Sequence, residues 1–187
     1  MTNENIVIRP YTDADREEVQ GICVATSSGA FSKNEDMQRF LLTTYCDYYI
    51  EKEPENCFVA ADGNKAVGYV ICAENTPAWA TIFREEFASR ISVLALQQAC
   101  LGSINSLMEC ADEYPAHLHI DILPDYQRMG LGTKLMDALV THLKKKSVPG
   151  LMFCVANDNQ KAQAFYKKYG FAVLKERKMD TSMGILI

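Results

Sequence analysis

The chain has 187 residues, 48% of them hydrophobic and 23% charged, and a formal net charge of -5 at pH 7. That is enough chain for one domain with a full core, and its apolar content excludes a disordered protein. The acidic balance argues against a nucleic-acid binder, which needs a basic surface to displace counterions, and no run reaches the roughly 18 apolar residues of a membrane span.

MTNENIVIRPYTDADREE lacks the basic flank and apolar run of a signal peptide, so the expected location is the cytoplasm. Seven cysteines, Cys23, Cys46, Cys57, Cys72, Cys100, Cys110 and Cys154, are scattered without a CxxC pair or zinc-like spacing. They are expected to be reduced, buried, small hydrophobes, with no metal.

Ile6 to Tyr11 (IVIRPY) alternates as a half-buried strand does, and Thr12-Asp13 with Glu17 and Glu18 reads as a helix start. Asn34 to Lys52 carries Met37, Phe40, Leu41, Tyr45, Tyr48 and Tyr49 at helical spacing, which predicts a second helix. Cys57 to Ala61 and Ala66 to Ala73 predict a hairpin joined through Asp62-Gly63-Asn64. Thr76 to Glu113 predicts one or two helices, in which Trp79, Phe83 and Phe87 form an apolar stripe that suits packing on a sheet.

Leu118 to Leu123 reads as a strand stopped by Pro124, which has no N–H to give. From Gly132 to Lys146 the apolar residues keep the helix period, and LMFCVAN (Leu151 to Asn157) is the apolar run of a strand buried on both faces. Strand, helix and parallel strand make a right-handed crossover. Gln160 to Tyr169 predicts a helix ended by Gly170, and FAVLKERKM and TSMGILI two last strands. The expected fold is α/β (α+β): one domain over residues 1–187, built on a mixed sheet with helices on both faces.

Between the strand at Leu118 and the following helix lies Gln127-Arg128-Met129-Gly130-Leu131-Gly132. A helix N-terminus has free N–H groups and a partial positive charge, and glycine lets a ligand come close, so a pyrophosphate suits this junction. The P-loop pattern fails because Gly132 is followed by Thr133-Lys134 in reversed order, and the dinucleotide fingerprint fails at Leu135.

A third pattern does match. Pro124 precedes Gln127, Gly130 and Gly132, and downstream come Asn159, Ala162, Tyr166, Gly170 and Phe171. On these two motifs the chain resembles the GCN5-related N-acetyltransferase (GNAT) superfamily over nearly its whole length. The resemblance implies a mostly antiparallel sheet of about seven strands, splayed between the fourth and fifth, and acetyl-CoA as cosubstrate. Within the superfamily, HLHIDILPDYQ resembles the acetyltransferase-like domain of O-GlcNAcase and its bacterial relatives, and the His117-Leu118-His119 pair resembles the strand histidines of arylalkylamine N-acetyltransferases. The first likeness implies a second possibility, a silent CoA-binding or protein-interaction module.

The resemblance further implies that the pantetheine arm runs along the backbone near Ile122 and Leu123. It places the pyrophosphate on Gln127 and the amides of Arg128, Met129, Gly130, Leu131, Gly132 and Thr133. Asn159 and Ala162 would touch the arm, and Tyr166 would face the sulfur and protonate it or donate a hydrogen bond. The acceptor would be a primary amine of a small molecule or peptide; dimers are common in the superfamily, and this chain shows no sign of one by itself.

An alkylamine at pKa about 10.4 is neutral in only about one molecule in two thousand at pH 7, so a base or an ordered water is needed. His117, His119 and Asp121 alternate onto one face of their strand, which makes Asp121 or His119 the candidate base and His117 a candidate acceptor contact. Tyr48, Tyr49, Trp79 and Phe83 are candidate acceptor-wall residues, by analogy alone.

Overall fold

A computed structural model describes residues 6–29, 31 and 34–187. Its centre is a seven-stranded sheet in the order β1-β2-β3-β4-β5-β7-β6. The strands are β1 (Ile6–Pro10), β2 (Phe58–Asp62), β3 (Lys65–Ala73), β4 (Ala116–Ile122), β5 (Gly150–Ala156), β6 (Ala172–Glu176) and β7 (Asp180–Leu186). All neighbours pair antiparallel except β4 and β5, so the sheet is mixed and mostly antiparallel as expected.

The first hairpin is tighter than the sequence suggested. Asp62 still pairs with Lys65, so only Gly63 and Asn64 form the loop, and Gly63 takes the left-handed conformation, φ 60°, that such a loop demands.

One face of the sheet carries α1 (Arg16–Thr26), α2 (Glu35–Leu42), α3 (Tyr48–Lys52), α4 (Thr76–Ile82) and α5 (Leu94–Met108). Their apolar residues meet Val59, Tyr69, Ile71 and Ala73 of β2 and β3. The other face carries α6 (Leu131–Lys145) and α7 (Gln160–Tyr169), packed on Val70, Cys72, Leu118, Leu151 and Phe153.

The helix predicted from Asn34 to Lys52 is one helical run, but a π-helical stretch, Thr43–Asp47, joins α2 to α3. Such a wide turn shifts the phase of the side chains, so Tyr48, Tyr49 and Ile50 are all buried in succession. A second wide stretch, Phe83–Phe87, prolongs α4 and keeps Trp79, Phe83 and Phe87 inside. Asn34 caps α2 by accepting from the amides of Asp36 and Met37, and Asn75 caps α4 by accepting from Ala78.

The feature that positions the site lies between β4 and β5. Their parallel ladder holds only at Ala116↔Leu151 and His117↔Met152; beyond it β5 follows β7 and leaves β4 behind. β4 is accordingly buried through Leu118 and half-buried from His119 onward. The closed end is held by Gly150, where an added Cβ would lie 2.6 Å from the backbone oxygen of Glu113.

Backbone cannot yield as a flexible side chain does, so Gly150→Ala is expected to cost about 1–3 kcal/mol. For a domain of this size that is a fall in Tm of roughly 3–10 °C, measurable by thermal unfolding. An unchanged Tm would show that the segment at Glu113, just before β4, is not in close contact with Gly150.

Candidate active site

Where β4 and β5 part, a cavity of about 270 Å³ opens between them. Its walls are Leu118, His119, Ile120 and Asp121 of β4, Phe153 to Ala156 of β5, Asn159, Ala162 and Tyr166 beside α7, and Cys23, Thr26, Ser27, Leu41 and Tyr45 from the helices above. The candidates Asp121, His119, Tyr166, Asn159 and Ala162 thus converge on one space.

Asp121 is half-buried, and the Tyr69 hydroxyl donates to its Oδ2 at 2.6 Å from the register-paired position on β3. Burial pushes its carboxyl up to about 6, against the opposing pull of hydrogen bonds from Tyr69 and Thr26. His119 is pushed the other way by burial, to about 4, and is a neutral imidazole at pH 7. Of the two candidate bases, Asp121 is therefore the one poised near neutrality.

Tyr166 is buried with its ring against Phe153, centroids 3.8 Å apart. Burial, and then the charge of Asp121, raise its hydroxyl above the ordinary tyrosine value, so it keeps its proton and can donate.

The acceptor-wall candidates lie elsewhere. Tyr48, Tyr49, Trp79 and Phe83 are buried and none lines the cavity; Tyr48 packs on Trp79 and Phe87, and Trp79 on Phe83. All four are core, and the π-helical stretch Thr43–Asp47 places Tyr45 toward β4 instead, with its ring 5.2 Å from that of His119. His117 is also fully buried, bonded to Thr76 and Tyr49, and is not at the wall. Tyr45, Tyr69, Thr26 and Ser27 are the site residues that sequence reasoning did not pick.

At the open end of β4, Gln127 donates to the Ile122 carbonyl at 3.0 Å, and the Leu123 amide donates to Val67 on β3. Gln127 therefore ties the loop to the strand. Asn159 caps α7 by accepting from the Ala162 amide at 3.2 Å. Arg128 and Gly130 both have positive φ, 62° and 77°, and no atom lies within 4 Å of where a Gly130 Cβ would be. Gly132 has a different cause: its missing Cβ makes room for the Phe165 ring, 3.1 Å away. Leu131 points into the core, Met129 is half-buried, and Arg128 and Thr133 are exposed.

The pattern of the Acetyltransferase (GNAT) family matches residues 25–171, which spans the wedge from Thr26 to Tyr166. The chain belongs to this family. It is similar to N-alpha-acetyltransferase 30 of Schizosaccharomyces pombe, 24% identical over 128 residues, 68% of this chain and 65% of that one. It is also similar to the ribosomal protein bS18-alanine N-acetyltransferase of Escherichia coli, 42% identical over 68 residues, 35% of this chain and 46% of that one. The chain thus spans less than two thirds of the length of these curated relatives. Its fold is similar to the crystal structure of SsHAT, at a TM-score of 0.87 and 28% identity over 97% of this chain and 98% of that one.

As a GNAT-family chain it should hold acetyl-CoA, and two observations fit that ligand. The edge of β4 beyond His117 is unpaired by β5, which suits an amide-bearing arm laid as a further strand. The first turn of α6 has N–H groups without intrahelical acceptors, its first closing bond running from the Lys134 amide to Gly130, and it opens from a loop with a left-handed glycine.

Asp121 also has a thermodynamic signature. Its folded pKa of about 6 lies above the unfolded value of about 3.9, so the folded state binds more protons between the two. Stability should fall as pH rises through that window, and Asp121→Asn should remove the fall. The Tm of Asp121→Asn minus that of wild type is expected to grow between pH 4 and 6 and level off above; a flat difference would mean that Asp121 is not desolvated.

Proposed function

We propose that this chain is an acetyl-CoA-dependent N-acetyltransferase that accepts a primary amine, with Asp121 as base and Tyr166 as the donor to the departing sulfur. The observation that carries the reading is that a carboxyl pushed to about 6 and a tyrosine held protonated face one cavity from opposite sides of the β4–β5 opening.

Acetyl-CoA supplies a thioester whose carbonyl carbon the amine nitrogen attacks. Asp121 is mostly ionised at pH 7 and takes the proton of the ammonium, directly or through water. Tyr166 Oη gives a hydrogen bond to the sulfur. With its hydroxyl raised further above the ordinary 10, full proton transfer to a thiolate near 8.5 is more than about 2 kcal/mol uphill, so hydrogen bonding is its main contribution.

The pKa gap also supports a peptide α-amine as acceptor. An α-amine near 7.7–8.0 is neutral in about one molecule in ten at pH 7, whereas a lysine-like amine near 10.4 is not. The two curated relatives, an N-alpha-acetyltransferase and an alanine N-acetyltransferase, agree with that class. A cytoplasmic location belongs to the same reading. The likeness of HLHIDILPDYQ to the O-GlcNAcase domain carries the alternative of a silent module, which the same assay addresses.

CoA release measured over peptide N-termini, polyamines, amino acids and arylalkylamines is expected to be highest with peptides. Acetyl-CoA binding without release on any amine would support the module, and no binding at about 100 µM would sink the enzyme reading. In the active case kcat/KM should rise along an acid limb near pH 6 that Asp121→Asn abolishes, with a loss of about 10²–10⁴-fold. Tyr166→Phe should cost less than about 10²-fold; a loss beyond about 10⁴-fold with normal CoA binding would make it an obligatory acid instead.

A further inference from the structure

A chain of hydrogen bonds runs from the core to the cavity wall: Pro115 carbonyl, Thr76 Oγ1, His117, Tyr49 Oη and His119. Every link lies between 2.8 and 3.0 Å. Counting protons fixes its direction.

The Pro115 carbonyl can only accept, so the one hydroxyl proton of Thr76 goes to it, at 2.8 Å. Thr76 Oγ1 must then accept at 2.8 Å from His117 Nδ1, which carries the ring proton. A neutral His117 has its lone pair on Nε2, and the Tyr49 hydroxyl donates to it at 2.9 Å. Tyr49 has spent its proton, so its oxygen accepts at 3.0 Å from Nε2–H of His119. His119 is left with a lone pair on Nδ1.

A reversed chain needs either a doubly protonated His117 or a Thr76 hydroxyl turned from Pro115 to His117. The second leaves the Thr76 and Pro115 oxygens 2.8 Å apart with no proton between them, although that carbonyl also accepts from the Thr76 amide. As for the first, the His117 ring is enclosed by Trp79, 4.5 Å away centroid to centroid, with Tyr49, Thr76 and His119 around it, and no carboxylate among its bonded partners. Burial there opposes the charge, and burial likewise keeps Tyr49 protonated. The chain also ends on a carbonyl that cannot take a proton, so it cannot relay one away from the cavity.

We infer that Thr76, His117 and Tyr49 lock His119 in its Nε2–H tautomer, and that His119 Nδ1 is thereby a fixed acceptor in the cavity for an N–H of the incoming amine. The inference rests on the amine-acceptor reading above. His119 would hold the nitrogen while Asp121, two residues on along the same face of β4, takes the proton. Tyr49, His117 and Thr76 are positioning residues.

Long-range ¹⁵N–¹H correlation spectra of the wild-type protein test the lock without reference to activity. Protons on His117 Nδ1 and His119 Nε2 are expected; a proton on His119 Nδ1, or on His117 Nε2 alone, would overturn it. The acceptor role is tested by two variants, because the side-chain oxygen of Asn can stand near the place of Nδ1 and the amide of Gln near that of Nε2. His119→Gln is expected to raise KM for the amine about tenfold and His119→Asn less than about threefold, with CoA binding unchanged in both. Equal losses in the two would overturn the role of Nδ1 while leaving the amine reading intact. Failure of wild-type protein to release CoA on any amine would instead defeat the amine reading itself, and the spectra would still decide the tautomer.

Discussion

The site depends on a ladder that stops. After His117↔Met152 the fourth and fifth strands make no further pairs, and every chemical property of the cavity follows from that loss. A parallel sheet continued to the end of β4 would bury Asp121 and close the edge of the strand, leaving neither a proton acceptor nor a line of free backbone groups. Past that point β5 stays with β7 along its whole length, from Gly150↔Leu186 to Ala156↔Asp180, while β4 stays with β3, so each keeps its outer partner as the two diverge. The aromatic pair Phe153 and Tyr166 then occupies the side of the opening beneath α7.

Along β4 the same polar face passes through a gradient of environment. His117 sits in the paired part of the strand, where an unsatisfied ring nitrogen would be costly, and both of its nitrogens are bonded. His119 stands at the start of the opening with one nitrogen bonded into the protein. Asp121, further out, is held by the Tyr69 hydroxyl and lies beside Thr26 at the cavity wall. Desolvation acts on all three, lowering the histidines and raising the carboxyl, so one physical effect makes two of them neutral and the third a weak base poised near pH 6.

Much of this was legible from residue order. The alternation of His117, His119 and Asp121 on one face, the stop at Pro124, the glycine junction before α6 and the span of α7 are local patterns, and the structure has them. What sequence could not show is who stands opposite. Tyr69 reaches Asp121 only because of the β3–β4 register, and Tyr49 reaches both histidines only because a π-helical stretch turns it inward and brings Tyr45 to the wall in its place. Periodicity assumes 3.6 residues per turn, and a wide turn breaks that assumption where the site needs it. Gly132 likewise reads as a ligand contact in sequence, whereas its lack of a side chain is used by Phe165 of a helix about thirty residues away.

The two candidate proton-handling groups are coupled through space as well as through the reaction. Part of what raises the Tyr166 hydroxyl is the charge of Asp121, which favours keeping the proton on the tyrosine. In the proposed reaction Asp121 becomes neutral when it takes the proton of the amine. The repulsion that opposed ionisation of Tyr166 is then removed at the stage when negative charge develops on the sulfur, and the hydroxyl becomes a stronger donor. In the proposed reaction the tyrosine would therefore hold its proton more firmly while Asp121 is charged than after Asp121 has taken a proton.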